Sequence, residues 1–194
     1  MPRERFAALH DAPRVEHAAE CTLGCVALAE LSSLGKSDFV ARFGGVFEHS
    51  PWVAERAWQR RPFASVDALH RAMLGAVDAA SREEQLSLIR AHPELAGAEA
   101  VDGKLTAPST GEQARLGFNR LSKNELEQMN ELNRRYREKF GFPCIVALKL
   151  HRDRQSVMAE MARRSNNGQD EEIRNALEEI GHIARGRLEK MLNG

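Results

Sequence analysis

The stretch SREEQLSLIRAHPELAG, residues 81–97, contains the signals that start and stop a helix. Ser81 and Glu84 have the spacing of a capping box, in which the two side chains bond free N–H groups at the helix start. The apolar residues that follow have helical spacing. Pro93 disfavours the α conformation in the residue before it, so the pattern predicts a helix that ends at His92.

Similar signals recur along the chain. SKNE, residues 122–125, is a second capping box, and its helix is predicted to stop at GFP, residues 141–143, where glycine is followed by proline. Ser65 is predicted to cap another helix, and either Ser37 or Asp38 to cap a short one. These signals favour a chain built mainly of capped, amphipathic helices.

Helical periodicity also covers residues 15–34, about 153–164 and about 170–192. IVAL, residues 145–148, is the one β-like run, and it is too short to require a sheet. We therefore predict an all-α fold.

No internal repeat or long linker divides the chain, so a single compact multi-helix domain is expected over residues 21–194. Residues 1–20 are predicted to form an N-terminal extension.

Composition excludes several classes of partner. The chain has 28 Lys and Arg and 28 Asp and Glu, so its formal net charge is zero. Such a surface offers no general attraction to nucleic acid or to an anionic membrane, and no stretch reaches the roughly 18 apolar residues of a membrane span. Cys21, Cys25 and Cys144 cannot all pair internally, and the N-terminal segment lacks the apolar core of a secretory signal. We expect a cytoplasmic protein without nucleic-acid or membrane partners.

His17, Cys21 and Cys25 are spaced at i, i+4 and i+8 and could share one helix face. Three such ligands suggest zinc, but a closed zinc site needs a fourth ligand and the sequence offers no matching pair. Cysteines that pack as small apolar side chains are the favoured interpretation. Nucleotide-binding glycine motifs and the G-x-S-x-G nucleophile motif are also absent from the sequence.

His92 admits two interpretations. It can be the last residue of a helix ended by proline, or a titratable imidazole held at a rigid helix exit and facing a cavity. The carboxyl end of a helix dipole favours protonated histidine, which is expected to bring its titration toward neutral pH.

LTAPSTGEQ, residues 105–113, is a second candidate segment. Ser109 and Glu112 have capping-box spacing, which alone could explain both residues. Gln113 is not needed for a cap, and a helix start offers free N–H groups to carboxylate or carbonyl oxygens. If the loop at residues 94–109 folds back, Glu112 can lie near His92.

KFGFPCIVAL, residues 139–148, is the third candidate segment. It can be a helix stop followed by a buried apolar segment. Extended backbone after proline also leaves N–H and C=O groups available to a planar, amide-like ligand.

Taken in order, SPWVAERAWQRRPFASVDALHRAM, HPELAG, LTAPSTGEQ, LNRRYREKFGFP and ALEEIGHIARGRL make the chain resemble the OHCU decarboxylase family over about residues 30–192. OHCU is 2-oxo-4-hydroxy-4-carboxy-5-ureidoimidazoline. The resemblance implies an all-α homodimer that converts OHCU to (S)-allantoin in urate degradation, without a metal or organic cofactor.

Matched by motif, His92 corresponds to the catalytic histidine and Glu112 to its acidic partner. The resemblance further implies that substrate is bound by Pro93, Ser109, Gln113, the backbone of Cys144, Ile145, Val146, Ala147 and Leu148, and a C-terminal arginine, for which Arg187 fits better than Arg164. Cys144 replaces the phenylalanine usual in the family, which leaves the shape of the pocket open. A catalytically idle relative that binds a ligand or a second copy remains the alternative, and a pocket shared by His92 and Glu112 would discriminate against it.

Overall fold

The computed structural model describes Leu31 and residues 33–193, and every regular element in that part of the chain is helical. In chain order the helices are α1 (Lys36–Phe43), α2 (Trp52–Trp58), α3 (Val66–Asp78), α4 (Arg82–Arg90), α5 (Ala98–Val101), α6 (Ala107–Arg115), α7 (Lys123–Phe140), α8 (Arg154–Arg164) and α9 (Gln169–Asn193). Short 3₁₀ turns span Phe118–Arg120 and Leu148–Leu150. The predicted all-α class is confirmed. The proposed extension at residues 1–20 and the candidate ligands His17, Cys21 and Cys25 lie outside the described residues.

The predicted capping boxes at the starts of α4 and α7 are both present, and Ser65 accepts a hydrogen bond from the Ala68 N–H at the start of α3. At α1 the prediction was wrong. This helix begins after Gly35 without a side-chain cap, so Ser37 and Asp38 lie inside its first turn.

The start of α6 was also predicted wrongly. Its N-cap is Thr106, whose side chain accepts from the Ser109 N–H, and Ser109 lies inside the first turn. Pro108 fits this position because its fixed φ suits the first turn and it has no N–H to leave unpaired. Ser109 and Glu112 therefore form no capping box, and both side chains are available for tertiary contacts.

The two helix stops that border the candidate site have different causes. α4 ends at Arg90 with Ala91 as its C-cap, so His92 lies in the turn between the helix and Pro93. α7 ends at Gly141, which takes the left-handed conformation with φ +74°. Beyond it, residues 144–147 are buried and without regular structure. This agrees with the expectation that the short apolar run at 145–148 does not require a sheet.

The long helix α9 organises the core. It packs against α3 and α4, while α2 packs against both α1 and α3. An apolar stripe at helical spacing faces the core and is fully buried: Ile173, Ala176, Ile180, Ala184 and Leu188. Burial of each large side chain in this stripe contributes about 1.5–3 kcal/mol. The stripe thereby fixes the rotation of α9 and with it the direction of the neighbouring Arg187. Within the described residues no helix is both long and apolar enough to cross a membrane.

Candidate active site

A cavity of about 800 Å³ lies between α6, the segment after Gly141 and the C-terminal part of α9. Every residue that the sequence singled out as catalytic or substrate-binding lines it: His92, Pro93, Ser109, Glu112, Gln113, Cys144, Ile145, Val146, Ala147, Leu148 and Arg187. Residues from four separate parts of the chain therefore meet around one volume, which lies within the size range of small-ligand sites.

His92 is buried, with 6% of its surface exposed. Its Nδ1 lies 2.9 Å from the Leu88 carbonyl oxygen. A carbonyl oxygen can only accept a hydrogen bond, so Nδ1 must carry a proton. In the neutral imidazole, Nε2 is then the unprotonated nitrogen and can accept one. Nε2 bonds no other described residue, and His92 lines the cavity.

Burial lowers the pKa of His92 to about 4, although the bond to Leu88 and the charge of Glu48 act in the opposite direction. The helix-dipole argument, which expected titration near neutral pH, was therefore wrong. Desolvation of the charged imidazolium outweighs the dipole here. At neutral pH His92 is a neutral imidazole with one available lone pair.

Glu112 does not bond His92. Its carboxylate instead forms a two-bond ion pair with Arg187, in which Nε donates to Oε1 at 2.8 Å and Nη2 to Oε2 at 2.9 Å. About a third of the Glu112 side chain is exposed. Glu112 and His92 therefore share the cavity without a hydrogen bond between them.

Glu48 is a buried carboxylate that sequence reasoning missed. Only 2% of the residue is exposed, and its oxygens accept from Thr106 Oγ1 at 2.5 Å, Ser109 Oγ at 3.0 Å and Arg187 Nη1 at 2.8 Å. Burial raises the pKa of Glu48, but these hydrogen bonds and the positive charge of Arg187 outweigh it and hold the pKa below its ordinary value. Its charge also acts on His92.

One sequence signal for Glu48 was available. It lies in GGVFEHSPW, residues 44–52, directly after the apolar residues Val46 and Phe47. A carboxylate in that position needs partners. Its partners Ser109 and Arg187 are 61 and 139 residues away in the chain, so local patterns could not identify them.

Gln113 holds the turn that follows His92. Its Oε1 accepts from the Ala96 N–H at 3.0 Å and its Nε2 donates to the Glu94 carbonyl at 3.3 Å. Ala96 has φ +49°, an unfavourable conformation for a residue with a Cβ, and this bond stabilises it. The Gln113 amide therefore has a structural task beside any contact with a ligand.

The segment 144–148 lines the cavity, and some of its backbone groups already have partners. Arg164 donates to the Ile145 carbonyl at 2.6 Å, and the Ala147 N–H donates to Glu179 at 2.6 Å. The N–H groups of Ile145 and Val146 bond no other residue of the described part of the chain. The expectation of available backbone groups therefore holds for these two.

Arg164 and Cys144 are both buried. Arg164 is fully buried, pairs with Glu172 and does not line the cavity, so Arg187 is the arginine of the two that faces it. Burial raises the pKa of the Cys144 thiol to about 12, which keeps it neutral and unreactive as a nucleophile.

The sequence model of OHCU decarboxylase matches residues 32–189, which covers most of the chain. This chain belongs to the OHCU decarboxylase family. The matched range includes every residue that lines the cavity except Lys190 and Met191.

Individual relatives agree with this assignment. The 2-oxo-4-hydroxy-4-carboxy-5-ureidoimidazoline decarboxylase of Haloferax volcanii is 44% identical over 161 residues, which cover 83% of this chain and 93% of that protein. The mouse decarboxylase of the same name is 36% identical over 85% of this chain and 92% of its own length. The uric acid degradation bifunctional protein of a Bacillus species is 39% identical over 84% of this chain, which spans 32% of that longer protein.

A solved structure has the same fold. A crystal structure of (S)-allantoin synthase superposes with a TM-score of 0.67 at 28% identity. The superposition covers 84% of this chain and 53% of that one.

Proposed function

We propose that this protein is a carboxy-lyase that converts OHCU to allantoin, specifically its (S)-enantiomer, in urate degradation. The observation that carries the proposal is the cavity, in which the motif residues of a chain from the OHCU decarboxylase family meet around one neutral, accessible imidazole.

The reaction needs an acid–base group and a way to stabilise the electron pair that is left when CO₂ departs. OHCU carries a hydroxyl and a carboxylate on the same ring carbon. When the bond between this carbon and the carboxylate breaks, CO₂ leaves. The electron pair of the broken bond stays with the ring, which becomes an enol or enolate. A proton delivered to the adjacent carbon then gives allantoin, and delivery from one face gives one enantiomer.

His92 is suited to this proton transfer. It is neutral at neutral pH, so Nε2 first accepts a proton from the substrate and then returns one to the ring carbon. The bond from Nδ1 to Leu88 holds the ring in one tautomer and orientation, so little reorganisation is needed during the reaction.

The cavity walls provide the other interactions. The Ile145 and Val146 N–H groups are available to a developing oxyanion, a use to which fixed backbone donors are well suited. Arg187 supplies the positive charge that the substrate carboxylate requires. These roles need no metal or organic cofactor.

The same proposal includes a homodimer that works in the cytoplasm. The family resemblance supports the dimer, and zero net charge does not oppose association. The absence of a disulfide framework from the sequence supports the reducing compartment.

The test of this function is turnover. Freshly generated OHCU, made by oxidation and hydrolysis of urate, should be consumed much faster with the protein than by its spontaneous decay, with CO₂ and allantoin formed in equal amounts. A protein that leaves the decay rate unchanged while it binds allantoin would instead be a catalytically idle relative.

A further inference from the structure

All five N–H groups of Arg187 already have acceptors. Nε–H and one N–H of Nη2 bond Glu112, at 2.8 and 2.9 Å. The other N–H of Nη2 bonds Ser109 Oγ at 3.1 Å. Nη1 bonds Glu48 at 2.8 Å and the Val46 carbonyl at 3.4 Å. Since a guanidinium has five donors, a ligand carboxylate can bond Arg187 well only by displacing one of these acceptors.

The two carboxylates on Arg187 differ in how easily they can be displaced. The Glu48 side chain is 1% exposed and is held by Thr106 and Ser109 as well. The Glu112 side chain is 34% exposed, lines the cavity and has no other partner among the described residues. A ligand that enters the cavity therefore meets Glu112 and cannot reach Glu48.

Glu48 also fixes the direction of the Ser109 hydroxyl. A hydroxyl has one proton, and an ionised carboxylate can only accept, so Ser109 gives its proton to Glu48. The Arg187 N–H then occupies one lone pair of Ser109. The remaining lone pair of Ser109 Oγ can accept a hydrogen bond from an N–H or O–H group of the ligand.

We propose that Glu48 is a positioning residue of the reaction, which holds Arg187 and the Ser109 hydroxyl in place while the ligand carboxylate displaces Glu112 from the guanidinium. The inference rests on the proposed function, because the carboxylate in question is that of OHCU. It gives the two glutamates on Arg187 different tasks, Glu48 as the permanent anchor and Glu112 as the exchangeable partner.

The two glutamates should then respond to substitution in opposite directions. Glu48→Gln loosens Arg187, so a carboxylate ligand should bind about 10- to 100-fold more weakly, the effect of losing one hydrogen bond between charged groups. Glu112→Gln removes the competing charge, so the same ligand should bind more tightly even as turnover falls. A purely structural role of Glu48 would lower thermal stability without this selectivity.

Calorimetric titration with two probes tests this. 5-Hydantoinacetate has a related ring and a carboxylate, whereas allantoin has the ring without the carboxylate. We expect Glu48→Gln to weaken 5-hydantoinacetate much more than allantoin, and Glu112→Gln to strengthen 5-hydantoinacetate alone. Glu94→Gln is the matched control, because Glu94 also pairs with an arginine, Arg137, but does not line the cavity. It should leave both affinities unchanged.

Several outcomes would overturn the inference. These are equal effects of Glu48→Gln on both probes, weaker binding of 5-hydantoinacetate to Glu112→Gln, or a wild-type protein that does not prefer the carboxylate probe. Should Glu48→Gln fail to fold, Thr106→Val takes its place, because it removes one hydrogen bond from the Glu48 carboxylate and should also weaken 5-hydantoinacetate more than allantoin. Turnover of OHCU by the wild type, measured in parallel, separates the two proposals: an inactive protein with the predicted affinities refutes only the function, and an active protein without them refutes only the role of Glu48.

Discussion

His92 combines two requirements that usually oppose each other, since it is buried enough to be neutral and open enough to exchange protons. Burial sets its charge state, and the Leu88 carbonyl sets its tautomer. His92 lies just beyond the end of α4, in the turn that leads to Pro93. The two sequence interpretations of this residue, helix stop and chemical group, are therefore compatible.

The burial of His92 predicts a specific pH dependence of stability. Its pKa is about 4 in the folded protein and near 6.5 when exposed, so on acidification the unfolded chain takes up the proton first. Stability is therefore lost as pH falls from about 6.5 toward 4, by about 2 kcal/mol between pH 7 and pH 5. His92→Asn should lose correspondingly less stability over this interval than the wild type.

Chemical denaturation of both proteins at pH 7 and pH 5 measures this difference. The charged and titratable groups that act on His92 are Glu48, His49 and Arg187, and all three are retained in the variant. An equal loss of unfolding free energy in the two proteins would show that His92 is not buried in the neutral form.

At the scale of helices, local sequence patterns predicted the N-cap correctly where the capping serine bonds only within its own helix. The capping serines of α4 and α7, Ser81 and Ser122, are exposed and bond only within their own boxes, although the box glutamates Glu84 and Glu125 also pair with arginines. α6 differed because the Ser109 hydroxyl bonds Glu48 and Arg187, and Thr106 therefore caps the helix. A local pattern cannot show which hydroxyl a distant carboxylate will take.

Thr106→Val should consequently affect both stability and catalysis. The variant loses the cap of α6, worth about 1 kcal/mol, and one hydrogen bond to Glu48. We expect lower thermal stability together with a lower kcat/KM for OHCU. Ser122→Ala is the control, because it removes a comparable cap from α7 far from the cavity and should lower stability alone. Equal kcat/KM values in the two variants would contradict the link between Thr106 and the site.

At the scale of the whole molecule, the sequence predicted which segments form the cavity but not how their charges pair. About half of the cavity-lining residues, among them His92, Glu112 and Arg187, were predicted through the motifs of the family resemblance, each of which is local in the chain. The pairing of Arg187 with Glu48 joins positions 139 residues apart and depends on how α9 packs, so hydrophobic periodicity gives no information about it. The expected proximity of Glu112 to His92 was correct only in that both line one cavity.

The proposed homodimer is a further prediction at this scale. Sedimentation equilibrium at micromolar concentration should give a mass twice that of the 21.7 kDa chain. A monomer under these conditions would contradict it.

The most direct test of the proposed function follows the circular dichroism of allantoin as it forms from fresh OHCU at neutral pH. With the wild type, a signal of one sign should develop much faster than spontaneous decay allows. A positioned acid–base group contributes about 10²–10⁴-fold to a rate, so His92→Asn should lose most of this acceleration while its far-ultraviolet spectrum stays helical. A folded His92→Asn variant that works at the wild-type rate, or a wild type that produces no allantoin of one hand above the background, would contradict the account.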